Sequence, residues 1–260
     1  MADSDSVQEG YRRQLANCWQ IPPGARVLEV GCGQGDMTSV LAETASHVTA
    51  VDIADPSYGS PLTLGEATDL IRSGPFGHKI DFRFNFDILQ SQEFEPDSFD
   101  FGIMAHCSWY FSSEDELRAV FAKLRSCCQR FCFAEWDLEP RTVDQLPHLL
   151  AVLIQGQVES FKAESNANVR TPFNRKSVER LLSASGWEIA QAGLPDTSAL
   201  QDADWEIGAC LRDSLREAQE LALPPKLYSL LESQVDLLSH LKEDRPAKPL
   251  GAYALVLMHD

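Results

Sequence analysis

The sequence predicts an α/β protein, with a largely parallel sheet covered by helices on both faces and two added helical blocks. Three observations predict it. Short apolar stretches alternate with helix-patterned ones between residues 26 and 136. The first, VLEVGCGQGDMTSVL (27–41), passes through three glycines into an amphipathic helix. The strand candidates are apolar on both faces, as strands buried on two sides are.

Residues 4–19 read as a helix with Ser or Asp at its start and Val7, Tyr11, Leu15 and Cys18 or Trp19 near one face. IPPGA (21–25) stops it. Strands are expected at 26–31, 47–53, 80–85, 99–106 and 130–136, and helices at 36–45, 62–73 and 113–128. The last helix carries Leu117, Val120, Phe121 and Leu124 at helical spacing. After Asn85 only a stub of helix is expected. Beyond Asp137 the rhythm changes: 141–165 is helical, and a helix at 174–185 leads into a strand at 187–193. Residues 199–242 are helical with an interruption at LPP (223–225), and GAYALVLMH (251–259) closes the chain as a strand. The expected organisation is an N-terminal helix plus the glycine-turn half of the sheet (1–140), a helical cap (141–172), the sheet continued (173–194), a second cap (195–247) and the final strand (248–260).

With 260 residues the chain can bury a core without staples. Its net charge of −17 repels phosphate backbones and anionic membrane surfaces, so neither nucleic acid nor membrane is an expected partner. Arg12 and Arg13 form a basic pair, but on the first helix rather than in a basic cluster. The seven cysteines contain no CxxC pair, so reduced thiols are expected and no metal site. MADSDSVQEG is acidic and unlike a signal peptide, and no apolar run reaches the length of a membrane span, so a cytoplasmic location is expected.

Gly31, Gly33 and Gly35 alternate at the end of the first strand, where a helix presents free N–H groups and a ligand can approach the main chain. Asp52 ends the next strand, placed to accept hydrogen bonds from two ribose hydroxyls. In the dinucleotide pattern G-x-G-x-x-G/A the last position would be Asp36, a carboxylate beside a pyrophosphate. Asp36 and Glu29 suit instead a ligand whose near end carries an amine or sulfonium. This disfavours a nicotinamide cofactor and points to S-adenosylmethionine.

These residues resemble the class I S-adenosylmethionine-dependent methyltransferases. VLEVGCGQG is similar to the family's first motif and VTAVDI (48–53) to its second. NFDIL (85–89) resembles the loop after the third strand, and FDFGIMAHCSWYF (99–111) the fourth motif. The matches cover about residues 26–137. The resemblance implies a Rossmann-like sheet of seven strands whose last strand runs antiparallel beside the fifth. It implies cofactor contacts from Glu29, Gly31, Cys32, Gly33, Gln34 and Gly35, from Asp52 and Ile53 at the ribose, and from Asp87 and Ile88 at the adenine. Tyr11 on the first helix would reach the methionine carboxylate. His106 would lie at the mouth of the site, as a candidate base or as a residue packed on the cofactor. Trp109, Tyr110 and Phe111 would wall the substrate, or else belong to the core. Glu135 and Asp137 end the fifth strand without an assigned role, while His148 and His240 fall in the helical blocks.

No N/D-P-P-Y/F sequence follows the fourth strand, unlike the nucleic-acid amide and adenine methyltransferases, and no magnesium-binding triad is present at the motif positions. The motifs are most similar to small-molecule enzymes of quinone and natural-product pathways. The expected function is methyl transfer to a small apolar or aromatic metabolite, through an oxygen or nitrogen atom, with S-adenosylhomocysteine as product. The alternative is a protein of the same fold that binds S-adenosylmethionine and acts as a non-methylating catalyst or binding module. Monomer and homodimer are both compatible with the sequence.

Overall fold

The computed structural model describes residues 4–165, 167–244 and 246–259. In chain order the elements are α1 (Ser4–Trp19), β1 (Arg26–Val30), α2 (Asp36–Thr44), β2 (His47–Val51), α3 (Leu64–Arg72), β3 (Ile80–Arg83), β4 (Phe99–Ala105), α4 (Glu114–Cys127) and β5 (Cys128–Trp136). There follow α5 (Leu146–Glu159), α6 (Arg175–Ala184), β6 (Glu188–Gly193), α7 (Asp202–Glu220), α8 (Pro225–Asp244) and β7 (Ala252–Met258). The strands form one seven-stranded sheet in the order β3-β2-β1-β4-β5-β7-β6. β7 lies antiparallel between β5 and β6, and the other pairs are parallel. This is the Rossmann-like arrangement that the motifs imply.

Local chemistry sets the helix starts. Thr63 and Glu66 close a reciprocal capping box at α3, while Ser113 and Asn174 cap α4 and α6 through their side chains. At the other end of α2, the Lys79 ammonium donates to the carbonyls of Ala42 (3.0 Å) and Ala45 (2.9 Å), a cation on the negative end of the helix dipole.

Several boundaries differ from the sequence reading. β1 stops at Val30 because Gly31 turns to φ +74°, leaving the sheet one residue early. α4 runs into β5 with no loop, the helix ending at Cys127 and the strand beginning at Cys128. After Asn85 there is a turn and no helical stub. Of the expected helix at 141–165, the α-helical part is only Leu146–Glu159, with a 3₁₀ turn before it. Residues beyond it fold back on α5, where the Pro172 ring lies 2.9 Å from the point a side chain at Gly156 would occupy.

The main core joins both faces of the sheet, with Phe121 of α4 wedged against Phe131 and Phe133 of β5. A second, smaller core unites α5, α7 and α8 through Ile154, Ile207, Leu231 and Leu238. The chain crosses from one half of the sheet to the other between β1 and β4, so a crevice opens outside the carboxyl ends of these two strands. Six of the seven cysteines are buried, Cys18 is half-buried, and no disulfide joins them. Among the described residues, no helix is long and apolar enough to cross a membrane.

Truncating the wedge should be costly. Phe121→Ala removes a fully buried ring and is expected to lower stability by about 3–5 kcal/mol, read as a shift of the urea midpoint with an unchanged slope.

Candidate active site

The crevice is a cavity of about 960 Å³, at the upper end of the range for small-molecule sites. Its floor is the turn after β1. Gly31 takes a left-handed backbone, and a Cβ there would stand 2.7 Å from Cys107 Cβ, so glycine is what lets the turn reach the β4 loop. Gly33 (φ +52°) has open space where a side chain would be, on the cavity side. Its N–H donates to Asp52 Oδ2 at 2.8 Å, while Asp52 Oδ1 accepts from the Ala54 N–H at 2.9 Å. The two neighbouring turns therefore hold the Asp52 carboxylate in place, with lone pairs left for a ligand. Gly35 does not line the cavity. Its missing side chain would meet Ile71 and Phe82 behind the turn, so it serves packing between the turn and the protein.

Glu29, Cys32, Gln34, Ile53, Asp87 and Ile88 all line the cavity. Gln34 is tethered to the Leu62 carbonyl (2.8 Å), and Asp87 Oδ1 accepts from the Leu89 N–H (2.8 Å). Glu29 is buried and accepts from the Thr38 hydroxyl at 2.6 Å. Burial pushes its carboxyl up from 4.5 to about 8, against the Thr38 hydrogen bond and the Arg12 charge.

The opposite wall starts at the end of β4. His106 adopts a left-handed backbone (φ +53°) and lies between two buried partners. Its Nδ1 is 3.3 Å from Glu135 Oε1 and its Nε2 is 2.7 Å from the Tyr11 hydroxyl. Glu135 also accepts from the Ser108 N–H (3.0 Å), the Ser108 hydroxyl (2.7 Å) and the Trp136 N–H (2.9 Å). A carboxylate so surrounded by donors sets the tautomer: Nδ1 carries the proton toward Glu135, and Nε2 accepts from Tyr11. Tyr11 is 2% exposed and does not line the cavity, so the expected contact of its hydroxyl with a methionine carboxylate gives way to the bond with His106. Burial raises the Tyr11 phenol far above its ordinary range.

Tyr110 and Phe111 line the cavity, whereas Trp109 is buried behind them. Trp109 clamps the chain: its carbonyl accepts from the N–H groups of Arg170 and Thr171, and its indole N–H donates to the Phe173 carbonyl. His148 is a core residue whose Nδ1 accepts from the Leu250 N–H (2.9 Å), and burial lowers it to about 4.

The sequence reading missed Arg12, which lines the cavity beside the buried Tyr11, and Arg170, Asn168 and Ser165 from the segment after α5. None of these has a motif. The helical period of α1 gave no clue to Arg12, which follows Tyr11 by one residue and so falls outside the stripe of Val7, Tyr11 and Leu15. The second cap block contributes no described residue to the cavity; it supports α5 from behind.

Six carboxyl groups line the cavity (Glu29, Asp36, Asp52, Asp55, Asp87 and Glu116) against two guanidinium groups. A pyrophosphate would be repelled here, while a nucleoside bearing a sulfonium and an amine would be attracted. The open space at Gly33, the fixed Asp52 and the exposed Ile53 beside it fit such a nucleoside.

Comparison with known proteins agrees with this geometry. Residues 27–130 match a family model described as a methyltransferase domain. Methyltransferase phomM' of Diaporthe leptostromiformis is 25% identical over 214 residues, covering 66% of this chain and 55% of that protein. The S-adenosyl-L-methionine-dependent Diels-Alderase iccD of Talaromyces variabilis is 27% identical over 137 residues, covering 52% of this chain and 45% of that protein. The chain thus spans about half the length of the curated relatives it matches. A cyclopropane-fatty-acyl-phospholipid synthase-like protein from Lactobacillus casei superposes with a TM-score of 0.84 at 29% identity, covering 98% of this chain and 91% of that one.

The raised Glu29 makes stability depend on pH. Between about 4.5 and 8 an unfolded chain has released the Glu29 proton that the folded chain still holds, so this residue's contribution to stability falls as pH rises through that window. Glu29→Gln keeps the shape and removes the proton. Its stability relative to the parent is expected to climb across the window and level off above it, in urea midpoints taken over a pH series. Parallel pH profiles for the two proteins would show that Glu29 is ionised in the fold.

Proposed function

We propose that the chain, like the methyltransferase-domain proteins that it resembles, is a class I S-adenosylmethionine-dependent methyltransferase that binds S-adenosylmethionine in this cavity and methylates a small apolar or aromatic metabolite. The observation that carries the proposal is the locked pair of Gly33 and Asp52 in an acid-lined cavity. When bound, the cofactor supplies an activated methyl group and leaves as S-adenosylhomocysteine. Asp52 accepts from the ribose hydroxyls, Asp87 from the adenine amino group, and Ile53 and Ile88 hold the ring by apolar contact. Asp36 favours the cationic end by its charge, Glu29 offers it a carboxyl oxygen, and Arg12 takes the methionine carboxylate. Tyr110 and Phe111 hold the acceptor's apolar body against the donor, which is the alignment that methyl transfer depends on.

A second reading has its own support. Both ring nitrogens of His106 are engaged, so it can take a proton from an acceptor only if Tyr11 yields Nε2. A cavity whose imidazole is spoken for suits an acceptor already nucleophilic, or catalysis without methyl transfer. The iccD relative is named for the latter.

Two experiments separate these readings. Asp52→Ala is expected to weaken S-adenosylmethionine binding by roughly 1–3 kcal/mol in calorimetry, and NADH binding as tightly as S-adenosylmethionine would sink the cofactor assignment. If His106 acts as a base, His106→Ala and His106→Gln should each lower single-turnover methyl transfer by about 10²–10⁴-fold with little change in cofactor affinity. A near-parental rate in either variant removes the base and leaves a packing role. Cofactor binding without methyl transfer to any of a broad metabolite panel would favour the non-methylating reading.

A further inference from the structure

The cavity holds one cation more than the cofactor uses. Most arginines on this acidic chain are ion-paired, among them Arg13, Arg26, Arg83 and Arg180. The two that line the cavity, Arg12 and Arg170, form no ion pair with any described residue, although six carboxyl groups share their walls. Arg12 acts on Glu29 and serves the methionine carboxylate. Arg170 belongs to another part of the chain and touches other residues.

Its side chain is held in position. The Arg170 N–H donates to the Trp109 carbonyl (2.9 Å), the guanidinium Nε donates to the Ala167 carbonyl (3.2 Å), and its Cζ lies 5.8 Å from the centre of the Tyr110 ring. Among the described residues, these anchors leave the terminal N–H groups without an acceptor. Glu116, an acid of the same cavity, turns its Oε2 to the Ser112 N–H (2.9 Å) and hydroxyl (2.7 Å) and forms no ion pair with Arg170. Asn168 and Ser165 line the cavity on the same segment. A guanidinium fixed on an aromatic wall, with its outer fork open, is built to receive a planar anion in two parallel hydrogen bonds.

We propose that Arg170, with Asn168 and Ser165, is an acceptor-recognition subsite, and that the acceptor carries a carboxylate beside an apolar or aromatic body resting on Tyr110 and Phe111. A monoanion matches one guanidinium and two neutral polar side chains; a phosphate dianion would meet the surrounding acids with too little compensation. The inference rests on the methyl-transfer reading of the cavity, which has already assigned Arg12.

The test measures binding rather than turnover. Benzoate, 4-hydroxybenzoate and octanoate are titrated against their neutral amides, with the full chain alone and with S-adenosylhomocysteine added. For at least one pair the acid should bind about tenfold or more tightly than its amide, as a charge-assisted bidentate contact allows. Arg170→Gln should bring that preference close to unity while S-adenosylhomocysteine affinity stays within about twofold of the parent. Asn168→Asp, at an exposed position of the same cavity wall, adds a like charge against an incoming acid and should abolish the preference even if Arg170→Gln folds poorly. Amides that bind as well as the acids throughout, or an acid preference that survives Asn168→Asp, would overturn the subsite. Failure of S-adenosylhomocysteine to bind would overturn the cofactor reading instead, and the acid–amide comparison on the chain alone would still judge Arg170.

Discussion

The buried carboxylate of Glu135 is the interaction on which the far wall of the cavity depends. It sits 1% exposed at the end of β5, and burying an acid there is costly unless every lone pair is met. The main chain and hydroxyl of Ser108, the Trp136 N–H and the His106 ring meet them. Satisfying Glu135 therefore folds the β4 loop back over β5. It also pulls His106 into a left-handed backbone that a non-glycine residue seldom takes, held by its N–H on the Ala134 carbonyl (2.9 Å). Through His106 the same network reaches Tyr11 and seats α1 against the sheet. One desolvated acid thus orders three separate pieces of chain around the mouth of the cavity.

The near wall follows a different constraint, the close approach of backbones. Gly31 brings the first turn against Cys107, and Gly33 brings it to Asp52, so the glycine turn, the end of β2 and the β4 loop share one surface. Little of that surface is free to move, because each contact leaves no room for a side chain or already uses the polar atom concerned. Its charge is equally constrained. The acids stand close enough that burial and mutual repulsion hold Glu29 up, and a cation arriving beside them would relieve both.

Which parts were legible in the sequence follows from the range of the forces involved. The glycine turn, Asp52, Ile53, Asp87 and Ile88 reach the cavity because each lies just past the end of a strand, and strand ends can be read from local pattern. The antiparallel last strand beside the fifth was legible only through the resemblance that the motifs carry, not from local pattern. Gly35 was misplaced because alternate glycines look alike in sequence, while only contacts with Ile71 and Phe82 show that this one faces inward. Trp109 and Tyr110 are neighbours with opposite fates, one in the core and one on the wall, and that division is made by residues 170–173 far along the chain. Tyr11 was expected at the ligand, but its phenol is bound to a histidine on another element. Arg170 carried no local signal at all.

That division of labour has a structural consequence for specificity. The cofactor side of the cavity is made by the sheet's own strand ends and turns, whose geometry any change to the fold would disturb. The other side is made by the β4 loop and by Ser165, Asn168 and Arg170 after α5, a stretch fastened at its far end through Trp109 to Arg170, Thr171 and Phe173 and through the Pro172–Gly156 contact. The helices α7 and α8 hold α5 in place without entering the cavity, whereas the segment that carries Arg170 sends Val169 and Phe173 into the core of the sheet itself. Substitutions at Ser165, Asn168 and Arg170, which line the cavity, are therefore placed to change this wall without touching Val169, the core residue among them, or the Gly33–Asp52 lock.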